Sequence, residues 1–64
     1  MRYKIEIWQY HSIVETYETD SLQDALNWYR SNWDWCYNNG GCAVEVYREG
    51  IELSWDECNE LGFY

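Results

Sequence analysis

Aromatic side chains outnumber branched aliphatic ones in this chain, and that limits what its core can be made of. Five Trp, seven Tyr and one Phe stand against eleven Ile, Leu and Val. A domain of 64 residues hides only about 60% of the surface its unfolded chain exposes, so its margin is small. Each buried aromatic withdraws roughly 150–250 Å² from water. Some Trp and Tyr must therefore be core, and the aromatics cannot all belong to a binding surface. The length predicts one domain, 1–64.

Charge is the second constraint. Twelve acidic residues against four basic ones give a net charge of −8. Acid-rich chains with few aromatics stay disordered, because they bury too little apolar surface to offset chain entropy. This chain has the acid and also the means to fold. A negative surface repels nucleic acid and attracts basic protein surfaces. Arg2, Lys4, Arg30 and Arg48 are too few and too scattered for a phosphate-binding patch, so nucleic acid is not expected as a direct ligand. Residues 1–20 carry Arg2, Lys4, Glu6, Glu15, Glu18 and Asp20 and no continuous apolar run, so no signal peptide is expected. No stretch has the length of a membrane span, and an acidic surface does not favour anionic lipid. The expectation is a cytoplasmic protein with reduced thiols, in the host cytoplasm if the chain is viral.

Hydrophobic periodicity predicts six elements. Residues 3–10 alternate, with Tyr3, Ile5 and Ile7 on one face and Lys4, Glu6, Trp8 and Tyr10 on the other, which predicts a strand. Residues 13–19 read as its hairpin partner, although His11-Ser12 is not a turn dipeptide of a familiar type. The period then changes. Asp20 and Ser21 are both good N-caps, and Gln23 or Asp24 can complete a capping box. Leu22, Ala25, Leu26, Tyr29 and Trp33 follow on one helical face, predicting a helix over about 21–32 with Arg30 near its C-terminal end. Residues 34–42 read as an irregular loop ending in the breaker Asn-Asn-Gly-Gly. Strands over 43–48 and 51–54 are joined by Glu49-Gly50, and Ser54 to Glu57 is a capping box opening a short helix over 55–61, closed by Gly62. The fold class is α+β, order ββαββα: a four-stranded antiparallel sheet with one long helix on one face and a short C-terminal helix. Its expected core is Ile5, Ile7, Leu22, Leu26, Val44 and Val46.

The catalytic inventory is thin. The single histidine, His11, falls in a predicted turn, and Ser12, Ser21, Ser31 and Ser54 have no evident base. Gly40-Gly41 lacks the Lys and helix of a phosphate-cradling loop. Paired carboxylates could do acid–base work only inside a pocket, which so small a domain rarely encloses. The expectation is a non-enzyme with no cofactor. Cys36, Cys42, Cys58 and His11 do not have zinc-site spacing. A Cys36–Cys42 bridge would close the glycine-rich loop, but a reducing compartment disfavours it. Asp56, Glu57 and Glu60 do not form a calcium loop and read as a solvated helix face.

Two groups remain for binding. Glu6, Glu15, Glu45 and Glu52 project from predicted strands, where alternate residues lie about 6.6 Å apart, and Glu18 and Glu49 extend the group. Such a row approximates the charge spacing of a nucleic-acid backbone, although the same charge also serves solubility. In the segment from Trp33 to Tyr37, Trp35 and Tyr37 are candidate interface anchors, while Trp33 is expected to close the helix stripe.

The order of two strands, a Thr-Asp-Ser-Leu-Gln-Asp-Ala-Leu helix and a Val-Glu-Val strand resembles small acidic bacteriophage proteins over residues 3–48. Some proteins of that class inhibit bacterial RNA polymerase. Others mimic DNA to block uracil-DNA glycosylase, restriction enzymes or CRISPR nucleases. The likeness is one of topology and charge, and it implies an inhibitor of a host nucleic-acid-processing protein without assigning residues. The resulting expectation is a non-enzymatic DNA mimic. Glu6, Glu15, Glu18, Glu45, Glu49 and Glu52 would face a basic host surface, with Trp35 and Tyr37 as anchors. The rivals are a regulator of RNA polymerase that does not mimic DNA, and a homodimeric module joined through Trp8, Trp28 and Tyr47.

Overall fold

A computed structural model describes residues 2–38 and 42–63, the side chain of Tyr37 excepted. The elements are β1 (Tyr3–Gln9), β2 (Ser12–Thr19), α1 (Leu22–Asn38), β3 (Ala43–Arg48), β4 (Ile51–Glu52) and α2 (Trp55–Leu61). The α+β class and the ββαββα order are those the periodicity predicts. The strands lie in the order β2-β1-β3-β4, and every neighbouring pair is antiparallel.

Both hairpins turn through two residues with positive φ. Tyr10 and His11 have φ of 52° and 66°, and Glu49 and Gly50 have 53° and 81°. That sign at both central positions suits the right-handed twist of the flanking strands. The first turn is therefore Tyr10-His11, and β2 begins at Ser12. A register shift between Ile7 and Trp8 pairs Ile7 with Glu15 and Trp8 with Ile13, leaving Val14 as the extra residue of a bulge. β4 is shorter than the predicted 51–54, because Ser54 leaves the strand to cap α2.

Helix α1 starts where Ser21 Oγ accepts from Asp24 N at 3.2 Å. The predicted capping box does not form there. Ser21 N donates to Thr19 Oγ1, and the Asp24 carboxylate instead accepts from the Tyr17 hydroxyl at 2.6 Å. Around α2 the box is complete: Ser54 Oγ takes Glu57 N, Glu57 takes Ser54 N, and Gly62 closes the helix at φ 102°.

The largest departure is the length of α1. Residues 34–38 are helical, not loop. Nothing in Asp34-Trp-Cys-Tyr-Asn breaks a helix, and Cys36 continues the buried stripe seven residues beyond Tyr29. The expected break at Asn39, Gly40 and Gly41 lies outside the described residues. Trp33 stacks on Tyr29 at 5.7 Å but is 48% exposed, so Cys36 closes the stripe in its place. Arg30 is consequently mid-helix. Its guanidinium lies near Gly62, at the negative end of α2.

The core lies between the helices and one face of the sheet. Tyr3, Ile5 and Val46 meet Ala25, Leu26 and Tyr29 of α1, and Leu53, Cys58 and Phe63 complete it. Tyr29 meets Phe63 edge-on at 5.6 Å, and Tyr17 stacks on Trp28 at 5.0 Å. The expected core residues are all buried or half-buried, and the core is partly aromatic as the composition requires.

Replacing Tyr10-His11 by Asn-Gly should stabilise the fold. A non-glycine residue in the left-handed region carries a strain of about 1 kcal/mol or more. Relief of about 1 kcal/mol raises Tm by roughly 4–8 °C in a domain of this size. A thermal melt followed by circular dichroism measures it, and no rise would mean that tertiary contacts already offset the turn strain.

Candidate functional site

Neither helix covers the second face of the sheet. The pairings place Glu18, Lys4, Tyr47 and Glu52 in one row across the four strands. Thr16, Glu6 and Glu45 form the next row, and Ile13, Trp8 and Ala43 the third. At a strand spacing of about 4.8 Å the row from Glu18 to Glu52 spans roughly 14 Å. Four carboxylates thus share one uncovered face with a single ammonium, Lys4. A hollow of about 350 Å³ lies on this side, lined by Arg2, Lys4, Glu6, Glu18, Tyr47 and Gly50.

Glu6 organises the centre of this face. It is only 7% exposed although no helix covers it. Lys4 Nζ lies 3.0 Å from its Oε2, and the Trp8 indole N–H donates to its Oε1 at 3.2 Å. Those partners, Lys4 foremost, hold its carboxyl below the usual range against the opposing effect of burial. Glu45 sits directly across from Glu6 and accepts from the Tyr47 hydroxyl at 2.7 Å. That hydrogen bond, burial, and the charges of Glu45, Glu6 and Glu52 push the Tyr47 phenol far above its ordinary value. Lys4 Nζ also lies over the Tyr47 ring, 5.8 Å from its centre.

The structure divides the residues singled out from sequence. Glu6, Glu18, Glu45 and Glu52 share the uncovered face. Glu15 pairs with Ile7, so it belongs to the side that carries α1. Glu49 sits in the second hairpin turn and is paired with Arg2 at 3.2 Å. Trp35 lies on α1, 44% exposed, and is not a loop residue. It therefore occupies the opposite side of the sheet from the acidic rows and cannot share one flat interface with them. The side chain of Tyr37 lies outside the described residues. Of the three aromatics of the rival homodimer interface, Trp28 is engaged with Tyr17, while Trp8 and Tyr47 are bonded to Glu6 and Glu45.

A second surface was not legible in the sequence. An open groove of about 740 Å³ runs between α1, α2 and β3, lined by Tyr29, Arg30, Trp33, Val44, Trp55 and Phe63, with Cys42 at its wall. Trp55 stands 69% exposed at the first position of α2. Residues from three distant segments make this groove, so local pattern could not reveal it. The only early signal was an aromatic at the start of a capped helix.

His11 is exposed in its turn, and among the described residues no three His, Cys, Asp or Glu gather at metal-binding distances. Glu57 is committed to the α2 cap and to Arg48 at 3.6 Å. No described helix is long and apolar enough to cross a membrane. No protein-family model, curated protein or solved structure matches the chain.

Glu6→Gln should lower stability at neutral pH and matter less in acid. The folded carboxyl titrates below its ordinary 4.5. Its contribution is thus complete above the unfolded value and is lost as pH falls through the lower folded value. Urea unfolding of both proteins should show curves that separate near pH 7 and converge in acid, below 4.5. A separation independent of pH would mean that the ion pair with Lys4 does not matter.

Proposed function

We propose that this protein is a non-catalytic binding protein whose uncovered, acidic sheet face docks on a basic, nucleic-acid-binding surface of another protein. The observation that carries the reading is the gathering of Glu6, Glu18, Glu45 and Glu52 around Lys4 on the face no helix covers. Glu6 acts from within, tied to Lys4, while Glu52 and Glu18 are exposed and meet the partner. Facing carboxylates on adjacent strands resemble the charge, though not the shape, of a phosphate backbone. A phage-encoded inhibitor of a host enzyme of DNA or RNA, including an anti-CRISPR or anti-restriction role, is the biological setting that the charge and topology favour.

The aromatic groove favours a second reading, in which Trp33 and Trp55 anchor a partner without DNA mimicry, as for a regulator of RNA polymerase. Salt separates the two. A charge-steered complex associates more slowly as ionic strength rises, whereas an aromatic anchor acts mainly on dissociation.

The test is affinity capture from bacterial lysate at low and high salt, followed by competition with duplex DNA. Nucleic-acid-binding proteins that are retained at low salt and displaced by DNA are the expected result. In binding kinetics with a captured partner, Glu45→Lys with Glu52→Lys should lower the on-rate and flatten its salt dependence. Trp35→Ala, on the opposite side, should leave that on-rate unchanged. If charge reversal has no effect at low salt while Trp55→Ala speeds dissociation by tenfold or more, the groove is the interface and the acidic face serves solubility.

A further inference from the structure

Two of the three thiols meet beside the aromatic groove. Cys36 is buried near the end of α1, and Cys42 lies half-buried just before β3. Trp33 and Val44 touch both places: they line the groove together with Cys42, and the narrow cleft beneath it together with Cys36. Across that shared lining the Cys36 and Cys42 side chains interact. Burial, and then this contact, push the Cys36 thiol up to about 11. Cys58 is elsewhere, on α2 with its side chain in the core.

We propose that Cys36 and Cys42 are a reversible disulfide site, closed by exchange with a small disulfide of the glutathione type. Cys42 is the accessible partner and reacts first. Its thiol gives its proton to solvent, and the thiolate attacks one sulfur of the small disulfide. That S–S bond breaks, one small thiolate leaves and takes up a proton, and Cys42 carries a mixed disulfide. Cys36 then loses its proton and attacks the Cys42 sulfur, releasing the second small thiol. Two protein thiols are oxidised and one small disulfide is reduced to two thiols. Cys36 is a poor attacker from solution, being buried and held protonated, but it is already positioned against Cys42. The bond draws Cys42 toward the end of α1, so the wall that Cys42 gives the groove depends on redox state. Thiol–disulfide exchange needs neither a metal nor a strong oxidant, and a reducing compartment reverses it.

Native protein equilibrated with glutathione disulfide, quenched in acid and analysed by intact mass and peptide mapping tests this. The expected product is wild type lighter by two hydrogens, with Cys36 linked to Cys42 and Cys58 free. Cys36→Ser should stop at the mixed disulfide on Cys42, and Cys42→Ser should stay unmodified while folded. Circular dichroism of each variant is the folding control, and the wild-type product alone suffices if a variant unfolds. Wild type that retains three free thiols, accumulates the mixed disulfide without closing, or links Cys58 overturns the proposal.

Discussion

Strand β1 lies between β2 and β3, and the burial of Tyr3, Ile5 and Ile7 beneath the helices sets the orientation of the sheet around it. Because successive side chains point to opposite faces, that burial sends Lys4, Glu6 and Trp8 outward. Both neighbouring strands are paired to β1, so their outward residues fall into the same rows. Slipping β1 by one residue would put Glu6 in the core and Ile5 in water. A domain this small has a total stability on the order of 3–10 kcal/mol, so a misplaced core strand could not be tolerated. The acidic face is thus a consequence of where the aliphatic residues of β1 must go.

That face carries an electrostatic conflict, and the local geometry resolves it. Directly opposed like charges such as Glu6 and Glu45 cost about 0.2–1 kcal/mol. A hydrogen bond to a charged group contributes about 1.5–3 kcal/mol, and Glu6 has both an ammonium and an indole N–H as partners. Stabilisation wins at Glu6, while Glu45 is held by a neutral phenol that cannot cancel its charge. Lys4 therefore anchors one carboxylate and leaves the face negative. Arg2 and Arg48 are likewise matched with Glu49 and Glu57, which leaves most of the acid excess unneutralised.

The two candidate surfaces differ in chemistry and in place. The uncovered sheet face offers charge ordered by strand pairing. The groove offers Trp33 and Trp55 beside the buried Tyr29–Phe63 contact, with Arg30 at its edge and the Cys42 thiol at its wall. Being on opposite sides of the sheet, they could serve two contacts, or one contact and one regulatory site. Trp33 and Trp55 line that groove, and Trp35 is not among its lining residues.

How much was legible follows from the range of each interaction. Period-two alternation in β1, the cap from Ser54 to Glu57 and the Gly62 stop are local, so the sequence by itself determined the elements, their order and the α+β class. It also determined that the core would be partly aromatic, because the aliphatics are too few. Local reasoning failed where packing extended an element: Cys36, buried against the sheet, carries α1 through residues that look like loop. Only tertiary structure decided which acids share a face, since that depends on the bulge at Val14 and on the pairing of β1 with two strands. Glu15 fell to the other side for that reason, and Glu49 was taken by Arg2, 47 residues away. The groove was likewise decided in three dimensions, because its walls come from α1, β3 and α2, segments distant in sequence that meet only when the core closes.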